Sequence, residues 1–313
     1  MVVKSNPEFG IELALVIPYA YYLHTQGKLD TVVTSRGMKP FYYFCDDVRE
    51  EYQSRTINNE AAGLNRLPNN WIHGIDSMGK PGVLDYREWI SPPYKEHYKN
   101  DEFTFNDRPT VFITSKYNLE HGNPPLGYFD IECLYEMFEY LTGAGYSVIY
   151  KRATNREPEF TIDQNERGAL AQGYQEISAD VEGLGVITDR ELPSYMENVW
   201  LLDDIETEYS LNETQLKIMS NCEYFITVCG GNSIMSSLFG GTVISYIHKG
   251  KELRPNYFSK DSYFRKLSNA NFIPVFDVIK VINEKTFHHK VNYTGKNDYT
   301  EFIKTIKETI KRV

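Results

Sequence analysis

Residues 225–247 read FITVCGGNSIMSSLFGGTVISYI. Two apolar runs rich in β-branched and aromatic residues, 225–228 and 242–247, flank a short segment of helical spacing at 233–239. Strand, helix and strand in so few residues point to parallel strands, because a crossover is what returns the chain to start a second strand in the same direction. Between the first strand and the helix stands Cys229-Gly230-Gly231-Asn232-Ser233. Two residues without Cβ let the backbone pass close to a ligand, and the free N–H groups of a first helical turn attract an anion. The same residues suit a tight strand-to-helix turn with Asn232 or Ser233 as N-cap, and this stretch does not choose between the two. It is not a Walker loop, since no Lys follows the glycines, and it is not G-x-G-x-x-G.

The rhythm continues on both sides. It begins at Pro109 with strand 110–115, helix 130–145, strand 146–152, strand 199–205 and helix 212–222, and it ends with strand 272–278 and an amphipathic helix over 297–313. Alternation of this kind predicts an α/β fold, a parallel sheet with helices on both faces. Upstream, the apolar positions from Gly10 to Gly27 recur with helical spacing and Gly27 reads as the C-cap. Residues 29–35 then read as a strand, and 39–53 as a helix with Pro40 near its first turn. Residues 55–108 are polar and only weakly periodic, and 153–195 reads as a partly acidic loop with room for one helix. A chain of 313 residues exceeds what one core usually serves, so two domains are expected with the boundary near residue 108. Neither internal repeats nor low-complexity tracts occur.

Composition narrows the classes. A formal charge of −10 lacks the basic footprint of a duplex-binding protein, so no nucleic-acid partner is expected. The 24 tyrosines suit stacking on sugars or bases, although filling of core and surface is the more ordinary use of them. Cys45, Cys133, Cys222 and Cys229 form no C-x-x-C pair and are expected to be reduced. The amino end carries Glu12 inside its apolar run and shows no small-residue cleavage site, and no run of about 18 apolar residues follows. These features predict a cytoplasmic protein, with the sequons at Asn212 and Asn292 occurring by chance.

Four places offer chemistry. Gly230, Gly231, Asn232 and Ser233 follow a strand, where ligands dock in open parallel sheets. Glu12 sits where the first apolar helix begins; partial desolvation there would raise its pKa toward that of a useful base, while a first-turn Glu also simply complements the helix dipole. Lys116 emerges past the strand at 110–115, and Lys151 with Arg152 at the end of the strand at 146–152, each suited to neutralising a phosphate. Asp203-Asp204 either accepts from ribose hydroxyls or caps a turn. No D-x-D motif supports a metal–diphosphate site, His24, His73 and His121 lack a nucleophile–base pattern, and no G-x-S-x-G is present.

With these pieces placed, the sequence resembles the two-domain GT-B glycosyltransferases and, more loosely, their ADP-heptose heptosyltransferase-like members. FGIELALVIPYA, residues 9–20, is similar to the family's opening, with Glu12 six residues before Pro18 in the place of the catalytic Asp. VCGGNSIMSSLFGGTVISY, residues 228–246, looks like the donor-binding segment, and Lys116 is placed like a donor-phosphate lysine. The resemblance implies two Rossmann-like domains facing a cleft: residues 1–108 on the acceptor side, 109–296 binding a nucleotide-diphosphate sugar, and 297–313 packing back on the first domain. It implies an inverting, metal-independent glycosyltransferase without cofactor, moving a sugar to a hydroxyl of a glycan or other acceptor. Glu12 would be the base, with Lys116, Arg152 and Gly230 to Ser233 holding the donor. Two other readings stay open. A sugar-nucleotide epimerase of the same architecture would need no acceptor, and a non-catalytic carbohydrate- or nucleotide-binding protein would explain why Ile11 separates Gly10 from Glu12.

Overall fold

The amino-terminal segment of the computed structural model builds a parallel sheet from β1 (Val2–Lys4), β2 (Thr31–Ser35) and β3 (Val48–Tyr52), in that order. The structure describes residues 1–67, 86–117, 127–152, 177–248, 251–253, 257–258, 262–268, 270–283, 286–291 and 297–313. Between β1 and β2 the chain runs through α1 (Phe9–Ile11), a π-helical turn (Glu12–Val16) and α2 (Ile17–Thr25). The π turn runs directly into Pro18, which has no N–H to offer the preceding turn, so the local slip of register sacrifices no donor there. Gly27 ends the helix at φ +64, with its amide on the His24 carbonyl, as its position in the sequence predicts.

Residues 39–53 are not a helix. Lys39–Tyr42 makes one 3-10 turn that buries Phe41 and Tyr42, and Val48–Tyr52 joins β2 as the edge strand β3. The buried aromatic pair competes with a helical stripe here, and the Asp47–Arg49 ion pair fixes the turn into the strand. The short helix α3 (Tyr94–Tyr98) covers the same aromatics: the Tyr94 hydroxyl donates to the Phe41 carbonyl and Tyr43 stacks on His97.

The second sheet is parallel throughout, with strands in the order β11-β10-β9-β4-β5-β8. They are β4 (Thr110–Ser115), β5 (Ser147–Arg152), β8 (Val199–Leu201), β9 (Tyr224–Val228), β10 (Thr242–Ile247) and β11 (Asn271–Phe276). Pro274 is tolerated in β11 because that strand lies at the edge and pairs only with β10. The helices are α4 (Ile131–Gly143), α5 (Leu211–Ser220), α6 (Gly231–Ser237), α7 (Tyr263–Leu267) and α8 (Thr300–Thr309). Asp130 caps α4 by accepting from the Cys133 amide at 2.9 Å, and Ser210 caps α5. Two antiparallel hairpins were not foreseen: β6 (Ser178–Val181) with β7 (Gly185–Thr188), and β12 (Val278–Asn283) with β13 (Thr286–Val291). The first occupies part of the stretch read as loop; the helix expected within 153–195 falls largely outside the described residues, as do His73, His121 and Asn292.

Two apolar clusters hold the molecule. One lies behind the second sheet, and there α8 packs: Phe302 stacks on Phe129, and the Tyr140 hydroxyl donates to the Ile310 carbonyl at 2.7 Å. The expected return of this last helix to the first sheet is therefore corrected, since its Phe302–Ile306 stripe finds its apolar partner on its own half. The other cluster is shared by both halves, joining Leu13, Phe41 and Tyr94 to Phe112, Phe225 and Phe239.

Candidate functional site

Chain order identifies where the second sheet opens. From β4 the chain passes to β5 and β8 on one side, then returns to place β9 on the other flank of β4, followed by β10 and β11. Loops leaving β4 and β9 thus diverge, and the carboxyl ends of these two strands form the crevice where open α/β sheets hold ligands. Lys116 follows β4 and Cys229-Gly230 follows β9. They meet: a β-carbon built on Gly230, whose φ is +112, would lie 2.6 Å from Lys116 Nζ. Lys116 is half-buried and has no ion-pair or hydrogen-bond partner among the described residues. A cation without a counter-charge among the described residues, resting on bare backbone at the switch point, has the chemistry that suits an anion.

The rest of the glycine turn serves the join between the halves. A β-carbon on Gly231 would come 3.2 Å from Phe9 Cδ1, and one on Gly10 would come 3.3 Å from Gly231 Cα. Both glycines let helix start pack against helix start more closely than a side chain ordinarily allows. Within α6 the Ser233 amide is bound to the Gly230 carbonyl at 3.0 Å, and the Ser233 hydroxyl donates to the same oxygen at 2.7 Å. Ser233 is therefore spent on the turn, while Asn232 stays partly exposed. Of the four residues read here as an amide cradle, Gly230 faces Lys116 and Gly231 faces the first half.

Glu12 is enclosed. Its side chain is 0% exposed and Arg55, its ion-pair partner, is 1% exposed. One carboxylate oxygen accepts from the Thr34 and Tyr42 hydroxyls, the other from Arg55 Nη1, which also donates to the Pro7 carbonyl. Burial and the Glu12 charge push the Tyr42 phenol well above its ordinary range, so it remains a donor. The guanidinium lies 5.4 Å from the centre of the Phe9 ring, the ring that touches Gly231. The expectation of Glu12 as an acceptor-facing base is corrected: with both oxygens engaged and no exposure, it anchors the loop after β1. Its partner Arg55 was not singled out in the sequence because it stands 43 residues away in a stretch without periodicity.

Arg152 is corrected likewise. It is 2% exposed, and Nε donates to Asp189 at 2.5 Å, where the Tyr150 hydroxyl donates too. Lys151, on the opposite face of β5, donates to Gln215 at 2.8 Å; Gln215 donates to Asn212, and Asn212 to the Gly37 carbonyl at 2.6 Å. This polar chain crosses from the second sheet to the first half, and it buries the Asn212 sequon. Asp203 pairs with Arg190 at 2.6 Å. The four cysteines are free thiols, as expected.

No protein-family model matches the chain, and no curated protein sequence matches it. Similar solved structures exist at low identity. The ADP-heptose lipopolysaccharide heptosyltransferase II of E. coli is 11% identical, with 92% of each chain covered and a TM-score of 0.44. A glycosyltransferase family 9 protein of Veillonella parvula is 10% identical, with 91% of this chain and 88% of that one covered and a TM-score of 0.48. The iron-containing dodecameric glycosyltransferase TibC of enterotoxigenic E. coli is 12% identical, with 78% and 57% covered and a TM-score of 0.41. Likenesses this distant decide neither substrate nor mechanism. TibC is itself described as iron-containing, which runs against the expectation of no metal. Among the described residues no group of three or more His, Cys, Asp or Glu side chains is arranged to hold a metal ion. No helix among them is long and apolar enough to cross a membrane.

Proposed function

We propose that this chain is a glycosyltransferase that moves a sugar from a nucleotide-diphosphate sugar to a hydroxyl of an acceptor, by displacement with inversion. The division near residue 108 gives it an acceptor-side half and a donor-side half. The single observation that carries the reading is the Lys116 ammonium, unpaired among the described residues, against the bare Gly230 backbone at the switch point of a parallel sheet. The acceptor oxygen forms the new bond to the sugar and gives up its proton to solvent, while the sugar–diphosphate bond breaks; the diphosphate departs with the bonding electrons against a positive charge, and leaving-group charge is what such a contact stabilises. The Glu12–Arg55 pair contributes by holding the Pro7–Gly10 loop, and so Phe9 and Gly10, against Gly231.

The test is sugar transfer by wild type, Lys116→Ala and Glu12→Gln across a panel of nucleotide sugars. Loss of Lys116 is expected to lower turnover on the order of 100-fold. Glu12→Gln, which keeps the shape of the side chain but leaves the Arg55 charge without its partner, is expected to lower stability and yet retain transfer in the folded protein. Near wild-type turnover by Lys116→Ala refutes the reading. The enclosure of Glu12 favours one alternative, a protein that binds nucleotide sugars without transferring them. Nucleotide binding seen by calorimetry, with no product from any donor and acceptor pair, decides for that alternative.

A further inference from the structure

The carboxyl edge of the second sheet carries another cluster, which the contacts above do not use. His248 is the residue after β10 and Asp277 the residue after β11. Ile247 pairs with Phe276, so the two continue one register past the strand ends. Both are buried, at 2% and 8% exposure. One oxygen of Asp277 accepts from the Tyr246 hydroxyl at 2.7 Å and the Asp298 amide at 3.0 Å, and lies 3.3 Å from His248 Nδ1.

These contacts fix the tautomer. Burial opposes ionisation of Asp277, but the hydrogen bonds from His248, Tyr246 and the Asp298 amide outweigh it and hold the carboxyl below its ordinary range. Burial also keeps the Tyr246 phenol protonated, so it donates. An ionised Asp277 only accepts; the proton of a neutral imidazole must therefore sit on Nδ1, which leaves Nε2 as a bare lone pair. That Nε2 is buried and has no hydrogen-bond partner among the described residues. A buried polar atom without a partner is unfavourable, and a bound group relieves it.

Its position says which group. Tyr246 stands opposite Val228 in the β10–β9 ladder, so His248 leaves the sheet at the same carboxyl edge as Cys229 and Gly230, against which Lys116 rests. An anion only accepts hydrogen bonds, so a ring nitrogen that meets one carries a proton there. Resting on the nucleotide-sugar reading above, we infer that His248, held by Asp277, is a further contact to the donor's diphosphate, donating from Nε2 as the imidazolium. The proton comes from solvent on binding and no covalent bond changes. The titratable groups around the ring among the described residues are Tyr246 on its own strand, Asp277 after β11, and Asp298 and Tyr299 ahead of α8, with the Cys133 thiol of α4 beyond the tyrosines.

The experiment is calorimetric titration of the full chain with ADP and with UDP at a pH of about 8, where a free imidazole is mostly neutral. Two buffers of different ionisation enthalpy report the proton taken up. Wild type is expected to take up a proton on binding. His248→Gln is expected to lose that uptake and bind about tenfold more weakly, while Lys116→Ala binds weakly yet still takes up the proton. Unchanged affinity and uptake in His248→Gln overturns the inference and leaves the transferase reading standing. Absence of nucleotide binding by wild type removes both. Because His248 is buried, wild type also supplies a test free of substitution, NMR of isotope-labelled histidine. One imidazole must pass from the neutral Nδ1–H form to the imidazolium as nucleotide is added, and no change in any of the seven histidines overturns the proposal.

Discussion

Arg55 and Glu12 hold one another out of reach of water, and each is tolerable only because of the other. Arg55→Ala leaves a buried carboxylate uncompensated and is expected to cost about 3–5 kcal/mol, read from the urea midpoint. Lys116→Ala is expected to do the reverse, lowering turnover while shifting stability by less than about 0.5 kcal/mol, because its head group has no partner among the described residues. For Asp277 the folded carboxyl lies below its ordinary value of 3.8. Its contribution to stability is therefore fully present above that value and lost as pH falls through the lower folded one. A thermal-melt series against pH should show this acid limb flattened in Asp277→Asn. The place of Lys116 and Gly230 at neighbouring strand ends could be read from the sequence because strand ends are easy to locate there. Arg152 could not: β5 is buried on both faces, so its pattern does not say which side each residue takes, and the Asp189 partner lies 37 residues away.

At the scale of elements, β4, α4, β5, α5, β9, β10 and β11 lie close to the predicted ranges, since strongly apolar runs separated by capped helices leave few alternatives, whereas the strand expected over 199–205 ends at Leu201 and α7 and the two hairpins had no counterpart in the sequence reading. The first half was harder. Its 3-10 turn at Lys39–Tyr42 and the edge strand β3 depend on aromatic contacts with α3, more than fifty residues downstream, which no local periodicity records. The last helix was assigned to the right residues and the wrong neighbour, because an amphipathic stripe announces that it will be covered without naming what covers it. Phe302→Ala, which empties the place between Phe129 and Tyr246, is expected to destabilise the protein by about 3–5 kcal/mol. A circular-dichroism melt checks it.

For the molecule as a whole, the shared cluster matters more than the boundary between halves. Phe41 and Tyr94 of the first half and Phe112, Phe225 and Phe239 of the second bury one another, and the Lys151–Gln215–Asn212–Gly37 chain adds a polar bridge. Scanning calorimetry should therefore show a single cooperative transition, and residues 1–108 expressed alone should fail to give a sharp melt. The contact between Gly10 and Gly231 has its own consequence. A β-carbon on Gly231 meets the Phe9 ring at 3.2 Å and the Gly10 amide at 3.3 Å, and one on Gly10 meets Gly231 Cα at 3.3 Å and Ile234 Cδ1 at 3.4 Å, so a methyl at either position presses main chain as well as side chain where the halves join. In a saturation library sorted for folded protein, these two codons should tolerate as little variety as any in the deepest interior, although Gly10 is not itself buried.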